Sequence, residues 1–438
     1  MFTDLLKFVR LATALFLLGA GGSAQAMAPI QHWQTTNGAR VYFVPAPELP
    51  MVDIKVVFNA GSARDGEHPG LAQLTHTLLD KGADGLSADR IAEHLEGVGA
   101  RLSGDSLRDM ATLGLRSLSD PKYLQPALAV FAKVLAKPDF NAADLNRERE
   151  RMLIALQYAQ QQPDAVSEKT FYAALYGTHP YASPPEGTVE SLKALDRAAL
   201  QAFYTRYYVA HNAVVAIVGA VDRAAAEKLA ETATAGLASG APAPVLPAVA
   251  DLAAAREQRV AHPSTQTHVL LGQPGIRRDD PDYFTLYVGN YVLGGGGLVS
   301  RLSDEVREKR GLSYSVYSYF MPMAERGPFE LGLQTRNDQA AEALKVLRET
   351  LARYVAEGPT AAELEAAQKN ITGGQALRID SNRKILEYLA VIGFYRLPLD
   401  YLETFNGKIE AVTLEQVRDA FKRRVQPERM LTVLVGGS

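Results

Sequence analysis

The residues with the most chemical potential gather in two stretches. In GLAQLTHTLLDKG, residues 70–82, helical spacing brings Gln73, His76, Thr77 and Asp80 to one polar face. A metal would need three or four nitrogen, sulfur or carboxylate donors, and no second ligand stands at the spacing such motifs use. Read by itself, His76 is a polar helix-face histidine. In YVLGGGGLVSRLSDEVREKRGLSYSVYSYF, residues 291–320, Gly294, Gly295, Gly296 and Gly297 permit tight turning and close backbone approach by a ligand or another chain. Arg307 and Tyr314 follow, a guanidinium and a phenol seven residues apart. Taken alone they have structural readings: Arg307 paired with Asp304 one turn back, and Tyr314 on one face of an alternating strand. The glycines lack the G-K-[ST] of a phosphate loop, no G-x-S-x-G offers a serine nucleophile, and the chain has no cysteine.

The elements that must position these groups form a pattern used twice. ARVYFVPAPELPMVDIKVVFNAG reads as two strands joined by a proline-containing turn. GLAQLTHTLLDKG reads as a helix with Leu71, Leu74 and Leu78 on its apolar stripe and Gly82 as its C-cap. Further helices are expected in DRIAEHLEGVG, DPKYLQPALAVFAKVLAKP, DLNRERERMLIALQYAQQQ and SRLSDEVREKRG, and strands in RLSGDSLRDMATLGLRSL. Residues 236–255, rich in Pro, Ala and Gly and nearly uncharged, read as an extended linker between an N-terminal domain, 27–235, and a C-terminal domain, 256–438. Both halves end alike. A helix begun by Asp196 or Thr413 leads through Ala-Phe and basic residues into AVVAIVG or MLTVLVG, closing on Gly219 or Gly436. Two such copies in register point to an internal duplication. Grouped antiparallel strands with grouped helices give the fold class α+β.

Composition bounds the role. With 46 basic and 49 acidic residues among 438, the chain has no basic footprint for nucleic acid. Residues 1–26 run from Lys7 and Arg10 through LATALFLLGA to GGSAQA, the order of a secretory signal peptide cut after Ala26. No later stretch reaches membrane-spanning length. The mature chain is therefore expected to be soluble and exported, with the periplasm as the expected compartment.

The frame G-L-A-x-x-x-x-x-x-L-x-K-G at Gly70–Gly82 resembles the metal-binding helix of the pitrilysin/insulinase family, the inverted-motif zinc peptidases, in its two-domain form akin to the mitochondrial processing peptidase. That helix carries H-x-x-E-H in the family, with two histidines on zinc and the glutamate as general base. Here the first histidine falls on Gln73, the glutamate on His76 and the second histidine on Thr77. Anchored on Pro163, the family's third ligand falls on Ala155, while Glu148 keeps the place of a supporting glutamate. The stretch 291–320 is similar to the family's second domain, in which the counterparts of Arg307 and Tyr314 hold substrate opposite the zinc. LYGTHPYASPPEGTVESLKAL, residues 175–195, resembles a further family turn, with His179 expected to be structural.

The resemblance implies two homologous domains, each a mixed, mostly antiparallel sheet with helices packed on it, forming half of a clam-shell. It implies a non-catalytic subunit with no catalytic residue and no metal of its own, paired with a catalytic chain of the same family that carries the zinc. Arg307, Tyr314 and Gly294–Gly297 are then the expected peptide-holding residues. The alternative is a homodimeric peptide-binding or scaffold protein with no peptidase partner.

Overall fold

The computed structural model describes residues 28–437, so the expected leader at 1–26 lies outside the described residues. The N-terminal half builds a six-stranded sheet from β1 (Gln31–Gln34), β2 (Arg40–Pro45), β3 (Met51–Phe58), β6 (Arg101–Ser106), β7 (Ala111–Leu118) and β8 (Ala213–Gly219), in the order β1-β2-β8-β3-β7-β6. The short pair β4 (Gly82–Ala83) and β5 (Leu86–Ser87) stands apart. The C-terminal half builds five strands, β9 (Arg256–Val260), β10 (Gln266–Pro274), β11 (Val316–Phe320), β12 (Pro328–Arg336) and β13 (Leu431–Val435), in the order β11-β12-β10-β13-β9. Apart from the extra β1 the two orders are the same. In each half the last strand inserts between the first two, parallel to one (β8 on β2, β13 on β9) and antiparallel to the other. The remaining neighbours in each sheet are antiparallel. The fold is α+β, with one architecture repeated.

The repeat reaches individual residues. Asp196 and Thr413 cap their helices by accepting from the backbone N–H of Ala199 and Gln416. Gly219 and Gly436 end the inserted strands at φ 153° and 143°. A Cβ on Gly436 would come within 2.6 Å of the Gln266 carbonyl, and one on Gly219 would collide with that of Met51. Glycine is required at both because the neighbouring strand begins against its α-carbon.

The two halves exchange helices. Helix Asn382–Tyr395, from the C-terminal half, lies on the N-terminal sheet against β8, β3 and β2. Helix Pro163–Tyr176, from the N-terminal half, lies on the C-terminal sheet against β13 and β10. The strand period makes this visible. In β8, Ala213, Val215 and Ile217 join the N-terminal core, while Val214, Ala216 and Val218 join a core with Ile385, Leu386, Leu389 and Ile392. Leu431, Val433 and Val435 of β13 likewise pack with Phe171, Tyr172 and Leu175. Gly393 lets the covering helix settle, since a Cβ there would lie 2.5 Å from Val214 Cγ1. Polar bonds seal the exchange, from Arg40 Nη1 to the Gly393 carbonyl at 2.9 Å and from Lys55 to Glu387. Burying Ile385, Leu386, Leu389 and Ile392 contributes roughly 6–12 kcal/mol at ~1.5–3 kcal/mol each. That is comparable with the whole net stability of a domain, so each half depends on the other.

Residues 236–255 carry no regular structure, but they are pinned rather than free. Ala210 and His211 donate backbone N–H bonds to Ala238 and Ser239, and His179 Nε2 lies 2.8 Å from the Pro247 carbonyl. Leu246, Val249 and Leu252 are buried with Phe171 and Tyr176. No described helix is long and apolar enough to cross a membrane.

Candidate functional site

Helix Leu71–Thr77 carries the first candidate site. It ends at Thr77, short of the Gly82 C-cap expected from the sequence. Leu78 bonds back to Leu74 and Thr75, and Gly82 instead starts β4. Leu71, Leu74 and Leu78 are buried as the stripe requires. Asp65, six residues upstream of Leu71, sets the helix start, its carboxylate accepting from the N–H groups of Gly70 (2.8 Å) and Ala72 (2.7 Å). Gly70, at φ 90°, meets Gly187 closely, which fixes the loop 175–195 against the helix N-terminus. In that loop His179 is structural: its Nδ1 accepts from the Tyr181 N–H at 3.1 Å while its other nitrogen holds the linker.

Gln73, His76 and Thr77 share one wall of an open cleft of about 390 Å³, and Leu102–Ser106 of β6 form the other. The His76 ring rests on Gly104, where a Cβ would come within 2.6 Å of Nε2. Its Nδ1 lies 3.4 Å from the Tyr208 hydroxyl. Burial pushes the imidazole down to about 4 against the opposing pull of Asp80 and Asp105, so it is neutral at pH 7. Ala155 and Glu148 do not line this cleft. Ala155 is exposed on helix Ala142–Ala159, and Glu148 is buried and held by Arg147 (3.4 Å) and Arg151 (3.0 Å). His76 and Glu148 therefore do not form an acid–base pair. An amide, an imidazole, a hydroxyl and a methyl group do not make a zinc ligand set, and the residues here do not fit that metal. Among the described residues no group of three His, Asp or Glu side chains could hold a metal ion.

The second candidate site lies in the C-terminal half. The glycine turn runs from wide helical turns, Tyr291–Gly295, into a tight one, Gly297–Val299. Gly294 lies against β11, where a Cβ would be 2.5 Å from the Ser318 backbone nitrogen, and Gly297 adopts φ 62°. Arg301 anchors the turn through a two-pronged pair with Glu363, both contacts 2.7 Å, which holds that carboxyl at about 2. Gly294, Gly295 and Gly297 face a groove of about 470 Å³ that follows β11.

Arg307 and Tyr314 come together, the guanidinium 4.7 Å from the ring centroid, and Tyr314 is 84% exposed. Both structural readings of the pair need correction. Asp304 pairs with Lys309 at 2.7 Å and Arg307 with Glu308 at 3.3 Å. Tyr314 precedes β11 and stands off the sheet, because the strand starts only at Val316. The helix expected in 300–311 is a wide π-type turn over Ser303–Glu308.

Three further features carried no sequence signal strong enough to find them. β6 and β11 are equivalent in the repeat, and among the described residues each is bonded on one side only, leaving a free edge beside its own candidate site. Between them lies a mostly apolar cavity of about 550 Å³ at the junction of the halves, sharing Ser106 with the cleft and Pro322 with the groove. Asp109, in the β6–β7 turn, locks this junction. It is buried and accepts from Tyr181 Oη (2.7 Å), Tyr395 Oη (3.0 Å) and the Ala324 N–H (2.7 Å), and burial holds its carboxyl above the usual range.

Comparison with known proteins places this geometry. Residues 40–189 match the insulinase (peptidase family M16) profile and residues 194–371 match the peptidase M16 inactive domain. An uncharacterized zinc protease of Streptomyces coelicolor is 30% identical, over 91% of this chain and 88% of its own length. A non-peptidase homolog of Helicobacter pylori is 27% identical over 94% of both chains. The crystal structure of a peptidase M16 inactive domain from Pseudomonas fluorescens superposes with a TM-score of 0.91 at 41% identity, covering 93% of this chain and 98% of that one.

Proposed function

The chain belongs to the insulinase family of peptidases, family M16, and from that premise we propose that it is a non-catalytic subunit of an exported heterodimeric zinc peptidase. One observation carries the reading: Gln73, His76 and Thr77 line an open cleft where the family's helix bears its ligands, and Ala155 does not reach it. Relatives of the inactive type, from Pseudomonas fluorescens and Helicobacter pylori, support it. The signal-peptide order of residues 1–26 supports export to the periplasm.

In this reading a catalytic chain of the same family supplies the zinc and the general base. The present chain supplies chamber wall and holds peptide. A peptide laid along the free edge of β6 or β11 gains main-chain hydrogen bonds with little demand on sequence. The junction cavity adjoins the cleft at Ser106 and the glycine groove at Pro322, which supports an extended segment running from one to the next. Gly294, Gly295 and Gly297 line the groove and let a backbone approach closely. Gly296 instead packs on Tyr291, and the Arg307–Tyr314 pair stands outside the lining, where it offers a cation and a phenol to a segment that extends beyond the groove.

The test is the zinc content of the purified mature chain with casein hydrolysis on the same sample, then repeated with the catalytic chain added. Zinc below about a tenth of stoichiometric, no hydrolysis alone and hydrolysis gained on mixing are expected. Stoichiometric zinc with chelator-sensitive hydrolysis by the chain alone would overturn the proposal.

A further inference from the structure

The groove beside the glycine turn holds an arginine with no carboxylate partner among the described residues. The sequence GIRRDDPDYF, residues 275–284, offers Arg278 three aspartates, yet the fold assigns all of them elsewhere. Asp279 takes Arg277 (3.1 Å), Asp280 takes Arg424 (2.9 Å), and Asp282 takes Arg423 and Arg424 (2.9 and 2.8 Å). Among the described residues no carboxylate lies within ion-pair distance of Arg278. Its guanidinium donates only to two phenols, Tyr283 Oη (3.2 Å) and Tyr401 Oη (3.3 Å), and its Nε is buried without an acceptor.

A second arginine adds to this charge. Arg378 donates to Tyr287 Oη at 2.6 Å and has no carboxylate within ion-pair distance among the described residues. Arg278, Tyr283 and Tyr287 all line the groove, opposite the backbone of β11. A guanidinium left unneutralised in a half-enclosed space is a strong recognition element for a planar anion, because its fork of N–H donors matches a carboxylate. The phenols fix the orientation of the two guanidinium groups without cancelling their charge.

Resting on the peptide-holding reading, we infer that this groove receives a carboxylate of the bound peptide, with the adjacent β11 edge pairing the residues beside it. Arg278 is the primary contact and Arg378 a flanking charge. Two sources share that chemistry, the C-terminal carboxylate and an acidic side chain.

The test is fluorescence anisotropy on the full mature chain with three fluorescein-labelled peptides of one neutral sequence. The first has a free C-terminal carboxylate, the second a C-terminal amide, and the third the amide with one internal glutamate. The free acid is expected to bind on the order of tenfold more tightly than the amide, the scale of one charge-assisted contact. If the internal glutamate restores the gain, the side chain is a source as well. Arg278→Gln should bring acid and amide within about twofold of each other. Arg278→Lys should retain part of the preference. Arg378→Gln, whose link to the groove is its bond to the lining residue Tyr287, should reduce it without disturbing the Tyr283–Arg278–Tyr401 contacts. Acid and amide binding alike to the wild-type chain would overturn the carboxylate site and leave peptide holding intact. A preference surviving in both Gln variants would do the same. Failure of all three peptides to bind would overturn both readings together.

Discussion

Glu330 offers the sharpest physical test of the C-terminal sheet. It sits on β12, only 3% exposed, and its Oε1 accepts from Tyr319 Oη (2.9 Å) and Tyr317 Oη (3.2 Å) on the edge strand β11. Burial pushes its carboxyl up to about 7 from 4.5; the two phenol bonds oppose this and the charge of Glu168 on the exchanged helix adds to it. The folded-state value lies above the unfolded one. The group's contribution to stability is therefore complete below about pH 4.5 and is lost as pH rises through 7. Holding the ionised form in the fold costs about 3 kcal/mol at alkaline pH. Glu330→Gln keeps an acceptor for both phenols and removes the ionisation. With an unfolding entropy of about 2 cal/mol/K per residue over roughly 400 residues, the variant should melt about 3 °C above wild type at pH 9. At pH 4.5 the two should coincide. The assay is differential scanning calorimetry from pH 4.5 to 9, reading the difference in Tm between the two proteins. A difference that stays flat across that range would refute the assignment of a raised carboxyl.

Three other outcomes follow from the structure. Leu389→Ala, which empties a fully buried position of the exchanged helix, should cost about 2–5 kcal/mol in a denaturant titration; a loss under about 1 kcal/mol would mean the helix is not essential to the N-terminal core. Arg307→Ala with Tyr314→Phe, at a pair half open to solvent, should leave Tm within about 1 °C and weaken the hydrolysis gained on adding the catalytic chain; an unchanged rate would remove both residues from peptide holding. Gln73→His, His76→Glu and Thr77→His with Ala155→Glu should raise bound zinc toward stoichiometric, measured by elemental analysis after dialysis; zinc remaining below about a tenth would show that helix Ala142–Ala159 cannot bring a ligand to the cleft.

Much of this was legible because the repeat writes itself in local chemistry. Asp196 and Thr413 announce helix starts, and Gly219 and Gly436 announce strand ends, since each does a job few other residues can do. The exchange of helices was not legible. The stripe Ile385, Leu386, Leu389, Ile392 shows that a face is buried, but an apolar face carries no record of which sheet covers it. The end of helix Leu71–Thr77 was misread because Gly82 makes a plausible cap, whereas the helix is set from its other end by Asp65. The lost ligands could be read from Gln73, Thr77 and Ala155. That His76 meets Gly104 across the cleft could not, because it is a contact between distant segments. In sequence Arg278 stands beside three aspartates, and that it is left without one depends on Arg277 taking Asp279 and on the distant Arg423 and Arg424 taking Asp280 and Asp282.

The exchanged helices also set a timetable for synthesis. The N-terminal sheet is complete in sequence at Gly219, but the helix that covers its second face ends at Tyr395, on the order of 180 residues later. At about 5–20 residues per second that interval lasts roughly 10–35 seconds. Throughout it Val214, Ala216 and Val218 have no cover, so the emerging chain has no finished domain to lock in place. Under the export proposed above, such a delay keeps the chain pliable for threading through a narrow translocation pore until Tyr395, about nine-tenths of the way along it, has been made.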